Sequence, residues 1–130
     1  MADLNVGDQV PELRVTPDKY LPHRYAGASG DFNPIHIDDE LAKAVGLPRN
    51  ILHGLYSMGL VAKANAALAD GDPRALKRLS VQMRGMGVPE QEIVVTGTVK
   101  SADGNRVVVD TVAAQGETAP IKNAEAELEL

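Results

Sequence analysis

Four residues in the stretch Tyr25 to Gly59, YAGASGDFNPIHIDDELAKAVGLPRNILHGLYSMG, have the chemistry of a reaction centre: Asp31, His36, His53 and Gly54. Asp31 and His36 flank a segment stiffened by Pro34, so both side chains can converge on one small volume. A carboxylate beside an imidazole is equipped to move protons on and off water near neutral pH. His53-Gly54 stands at the first turn of the most apolar segment, where free backbone N–H groups favour negative charge. Glycine there lets a ligand oxygen approach the backbone closely, as an oxyanion hole requires. Each residue also has a plainer use. Asp31 can cap a loop, His36 can sit on a surface, and Gly54 with Gly59 can let a helix pack tightly.

Other chemistries lack their residues. His23, His36 and His53 have no zinc-site spacing, and there is no HExxH and no cysteine, so no metal is expected. Asp38, Asp39 and Glu40 read as an acidic helix start, not as metal ligands. Ser57 is outside any GxSxG elbow, and no phosphate-cradling glycine loop is present. A net charge of -5 argues against nucleic acid, whose phosphates demand a basic footprint. Zero cysteines fit a reducing cytoplasm, and MADLNVGDQVPEL contains no secretory signal pattern.

The elements that must position these residues follow from periodicity and punctuation. The 130 residues make one domain, 1–130, and with aromatics at 3% its core must be built from Leu, Val, Ile, Ala and Met. Residues 1–15 read as a short strand with a turn at Gly7-Asp8. Thr16-Pro17-Asp18 predicts a helix start, running to about Ala28 and stopping at Ser29-Gly30. Asp31 to His36 reads as a loop. Asp38 caps a second helix that Gly46 and Pro48 end. Ile51 to Asp70 is the longest apolar run. His53, Lys63 and Asn65 interrupt it, so it reads as a buried helix and not a membrane span.

From residue 75 the period becomes strand-like over Leu76–Val88, Glu92–Ser101, Arg106–Gln115 and Ala119–Leu130, with turns at Ala102–Asn105 and Gln115–Glu117. Val107, Val108 and Val109 suggest a strand covered on both faces. Strands grouped after helices give an α+β domain with the sheet packed on the long helix. A helix apolar nearly all round needs more than one flat sheet face, so a homodimer or a related heterodimer is expected.

The ordered block Tyr25-Ala26, Ser29 to His36, Ala42, Gly46-Leu47 and Ile51 to Gly54 resembles the hydratase motif of MaoC-like, (R)-specific enoyl hydratases and dehydratases. The chain is similar to the small actinobacterial subunits that dehydrate (3R)-hydroxyacyl chains. The resemblance implies a hot-dog fold, in which a curved antiparallel sheet wraps a long helix, and a dimer. It implies a hydro-lyase acting on an acyl thioester of coenzyme A or acyl carrier protein, with no cofactor. Asp31 and His36 would hold the water and Gly54 would donate its N–H to the thioester carbonyl. Asn33, Pro34, Ile35, His53 and Leu55 would line the substrate.

Two positions depart from the family pattern. Ala62 stands where many relatives carry a serine, and Val88-Pro89-Glu90-Gln91 replaces a PGD turn. Two other readings stay open: a subunit active only beside a non-catalytic hot-dog partner, and a thioesterase on the same fold. The absence of Asp and Glu from Ile51 to Ala69 weighs against the thioesterase. Lys43, Arg49, Lys77, Arg78 and Arg84 are candidates to meet a carrier phosphate.

Overall fold

A thirteen-residue helix of small and aliphatic residues, Gly54–Ala66, lies against a five-stranded antiparallel sheet. The computed structural model describes residues 4–130; the first three residues of the expected 1–15 strand lie outside the described residues. In chain order the elements are β1 (Leu13–Val15), α1 (Leu21–Ser29), α2 (Pro34–Ile37), α3 (Asp39–Ala44) and α4 (Gly54–Ala66). Then come 3-10 turns at Ala67–Ala69 and Pro73–Ala75, and β2 (Leu76–Met83), β3 (Ile93–Asp103), β4 (Arg106–Gln115) and β5 (Thr118–Glu129). The strands lie in the order β1-β3-β4-β5-β2.

Local chemistry explains most boundaries. Gly30 closes α1 at φ 80, and the Asp38 carboxylate caps α3 by accepting from the Leu41 N–H at 3.1 Å. Gly46 follows α3 at φ 97. Gly104 and Gly116 supply the positive φ of the two tight hairpins, joining β3 to β4 and β4 to β5.

Four expectations need correction, each for a physical reason. Helix α1 starts at Leu21 and not near Thr16. The Pro17 carbonyl is taken by the Glu90 N–H at 2.6 Å, and Asp18 turns the chain by accepting from the Tyr20 N–H. Within Asp31–His36, Pro34 opens a single helical turn, because Asn33 Oδ1 accepts from the Ile35 N–H at 3.2 Å. Strand β2 ends at Met83 and not Val88. The next residues turn away, with Gly85 so close to Ala119 that a Cβ there would sit 2.8 Å from the Ala119 carbonyl oxygen. Val107 and Val109 are buried, but Val108 is half-buried, so β4 has one core face.

The core forms where α4 crosses the sheet. Leu60, Val61 and Ala64 pack with Leu52, Ile93, Val95, Ala113 and Ile121, and a second cluster runs through Val99, Val107, Val109 and Leu128. Register shifts in the β2–β5, β3–β4 and β4–β5 ladders let the sheet bend around the helix. The sheet covers one side only. Leu55, Gly59 and Lys63 remain exposed, and Met58 and Ala62 half-buried. Among the described residues no helix is long and apolar enough to cross a membrane.

One buried side chain fastens the loop between β2 and β3. Gln115 accepts from the Val88 N–H at 2.8 Å and donates to the carbonyls of Val88 at 2.8 Å and Gln91 at 3.0 Å. Truncating it strands three backbone groups. Gln115→Ala should cost about 2–4 kcal/mol and lower Tm by roughly 10 °C in a thermal melt. A Tm within about 2 °C of the parent would show that the clasp is not needed.

Candidate active site

The site is assembled from two turns of chain. One runs from the end of α1 through α2, and the other from Asn50 into α4. On the first, Gly30 lets the chain reverse and Ser29 accepts from the Asp31 N–H at 3.1 Å while donating to the Tyr25 carbonyl. Asp31 Oδ1 accepts from the Asn33 N–H at 3.2 Å, which leaves Oδ2 free to face His36. The one-turn helix α2 then places His36 inward, 8% exposed, beneath Asp31.

The second turn of chain anchors the first. His36 Nδ1 lies 2.9 Å from the Ile51 carbonyl. A carbonyl only accepts, so Nδ1 carries a proton, and in the neutral ring Nε2 presents a lone pair. The Ile51 N–H in turn donates to the Ile35 carbonyl at 3.0 Å, and the Asn50 amide donates to the His36 carbonyl at 2.9 Å. Asp39 accepts from the Asn50 N–H. Lys43 first, and then that N–H, hold the Asp39 carboxyl below the usual carboxylate range. Asn50 escaped the reading of the sequence, since a lone Asn in a loop carries no signal of a partner fourteen residues away.

His36 Nε2 and Asp31 Oδ2 stand 3.9 Å apart, too far for a direct hydrogen bond. Two acceptors face each other across this gap, and a water with two O–H groups can donate to both. His53 is 2% exposed, its ring stacked on His36 with centroids 3.9 Å apart and planes 22° from parallel. Tyr25 also packs on it at 4.7 Å. His53 Nε2–H donates to the Asp31 main-chain carbonyl at 3.0 Å. Gly54 is the first residue of α4, so its N–H has no acceptor within the helix.

Asp31, His36 and His53 could be taken for a metal centre, with candidate ligand atoms all within 4.8 Å of one another. The stacking argues otherwise. Nearly parallel rings send their lone pairs side by side, whereas a metal needs them to converge.

The remaining expected residues surround this centre unequally. Asn33, Pro34 and Leu55 are exposed, and Ile35 is half-buried. Phe32, Leu41 and Val45, exposed on the same chain segments, were not singled out by the sequence. Met83 at the end of β2 lies over Gly54, where a Cβ would meet its sulfur at 2.6 Å. Of the basic candidates, Lys43, Arg49 and Arg78 are paired with Asp39, Glu90 and Glu127, and Arg84 donates to Gln82. Lys77 is exposed at the start of β2.

The chain is similar to several known proteins. The peroxisomal enoyl-CoA hydratase 2 of Arabidopsis thaliana is 38% identical over 103 residues, covering 78% of this chain and 31% of that protein. The enoyl-CoA hydratase ChsH3 of Mycobacterium tuberculosis is 34% identical over 119 residues, covering 88% and 40%. A solved MaoC-like dehydratase superposes with a TM-score of 0.92 at 32% identity, over 98% of this chain and 41% of its own. The chain thus spans under half the length of each. The shared architecture, an antiparallel sheet bent over one long helix, is the hot-dog fold. A family model described as a MaoC like domain matches residues 6–119, from the approach to β1 into β5 and across the whole site. This chain belongs to the MaoC-like dehydratase domain family.

Proposed function

We propose that this site interconverts trans-2-enoyl and (R)-3-hydroxyacyl thioesters by adding or removing water. The observation that carries the reading is the 3.9 Å gap between Asp31 Oδ2 and the lone pair of His36 Nε2. A water donating to both keeps a lone pair for attack at C3 of the enoyl group. One of the pair takes a proton from that water as the C3–O bond forms, and a proton is delivered to C2. Negative charge accumulates on the thioester oxygen meanwhile, and the Gly54 N–H at the positive end of α4 is suited to receive it. In this reading Asn33, Pro34, Ile35 and Leu55 border the acyl thioester.

The names of the relatives support an enoyl thioester, and the carrier is coenzyme A or acyl carrier protein. Atoms balance with water alone, so the reaction draws on no cofactor. Residues 1–130 act as one hot-dog domain, and the cysteine-free composition supports a cytoplasmic setting. A second hot-dog subunit, identical or related, covers the open side of α4. Support for it comes from exposed Leu55 and Gly59 and from a hollow of about 490 Å³ bordered by Ala62, Ala66, Ala67, Pro73 and Leu76.

Asp31→Asn and His36→Ala should each lower kcat/KM for crotonyl-CoA hydration by about 10²–10⁴-fold, and Asp31→Asn, at an exposed position, should leave the thermal melt within a few degrees. Full activity in both would end this reading. Gly54→Pro is a sharper probe of the donor. His53, at φ -64 and ψ 134, already has the backbone that a following proline requires, and proline is accepted at a first helical position. The variant loses the N–H and should drop kcat about 10²–10³-fold. Gly54→Ala keeps the N–H and serves as the steric control, since the Met83 side chain can move; equal kcat values for the two variants would rule out the donor role. Sedimentation of the purified chain, with a related subunit where one is available, should give a dimer at micromolar concentration. A stable monomer under both conditions would contradict the pairing.

A further inference from the structure

We propose that His53, which the family resemblance places along the substrate, is instead a positioning residue that fixes the Asp31 backbone and the His36 ring and does not touch substrate. The inference rests on the hydro-lyase reading and supplies the device that holds its water-handling pair in place.

Three observations converge on this role. First, His53 occupies the N-cap position of α4 but makes no side-chain capping bond, the ordinary service of a polar residue there. Its Nε2–H reaches instead across 22 residues to the Asp31 carbonyl. Second, its Nδ1 is buried with no hydrogen-bond partner among the described residues. A residue needed only to fill space would avoid that cost, because a phenyl ring packs equally well without an orphaned nitrogen. The single bond to Asp31 is the polar interaction that distinguishes imidazole from phenyl at this position.

Third, the face of His53 lies on His36 at 3.9 Å. The Ile51 carbonyl holds one edge of the His36 ring, and that bond alone would let the ring rock about the edge. A flat neighbour in van der Waals contact removes the rocking and so aims Nε2 at Asp31. His53 also directly precedes Gly54, so one residue ties the oxyanion donor to both members of the water-handling pair. A positional error of about 1 Å between such groups can cost about a hundredfold in rate.

The test is a double-mutant cycle on crotonyl-CoA hydration, with thermal melts run alongside. His53→Phe keeps a flat ring and removes the donor; His53→Gln keeps a donor and removes the ring. Each should lower kcat about 10–100-fold and leave KM within about twofold. His53→Phe in an Asp31→Asn background, and His53→Gln in a His36→Ala background, should each cost no more than about a further twofold, because the group that each variant releases is already disabled. A rise in KM with kcat unchanged would make His53 a substrate contact and overturn the proposal. Losses that multiply fully in these backgrounds would make it an independent structural residue, with the same result. Should His53→Phe fail to fold in the melt, the cycle through His53→Gln decides between these outcomes. If the parent protein shows no hydration of crotonyl-CoA, the reaction assignment fails, which is distinct from failure of the His53 role.

Discussion

The hydrogen bond from His36 Nδ1 to the Ile51 carbonyl, at 2.9 Å, is the contact on which the site depends. It selects the tautomer with a free lone pair on Nε2. Were the proton on Nε2 instead, His36 would present a donor to Asp31 and could not accept from water. The Ile51 residue that provides this carbonyl is itself fixed by its N–H to Ile35, one residue before His36. The two segments therefore hold each other in a short reciprocal ladder, closed on one side by the Asn50 amide.

That ladder is supported from the sheet. The Leu52 N–H donates to the Gly87 carbonyl at 2.8 Å, and Gly87 belongs to the loop that Gln115 of β4 clasps through Val88 and Gln91. The path from core to chemistry is short: β4 holds the 84–91 loop, the loop holds Leu52, and Leu52 leads through His53 to Gly54. Helix α4 adds the dipole end and the backbone donor, and its buried face, Leu60, Val61 and Ala64, sets its angle on the sheet. The opposite face lacks cover among the described residues, so the helix that presents the Gly54 N–H also presents the open surface where a second subunit is proposed to pack.

How much of this could be read from the residues depended on the range of the interaction. Gly30, Asp38 and Gly46 announced their helix ends because capping is settled within four residues. The hairpin glycines, Gly104 and Gly116, were legible for the same reason. The start of α1 was misplaced because a tertiary bond from Glu90 claims the Pro17 carbonyl. Strand β2 was drawn too long because nothing local reveals that Gly85 must pass close to Ala119. In the site, Asp31, His36 and Gly54 were suggested by type and spacing, and the family resemblance of the ordered block around them singled them out. The supporting contacts of Asn50, Gln115 and His53 did not, since each joins residues 14 to 27 apart that only the finished fold brings together.

In the proposed reaction, water enters at C3 of an enoyl thioester between Asp31 and His36. Incubating the purified protein with crotonyl-CoA in water enriched in oxygen-18, followed by chiral mass analysis of the products, tests it most directly. The expected product is (R)-3-hydroxybutyryl-CoA carrying the label on the C3 hydroxyl, with the thioester intact. Label recovered only in the carboxylate of released crotonate, with free thiol and no C3 product, would contradict it.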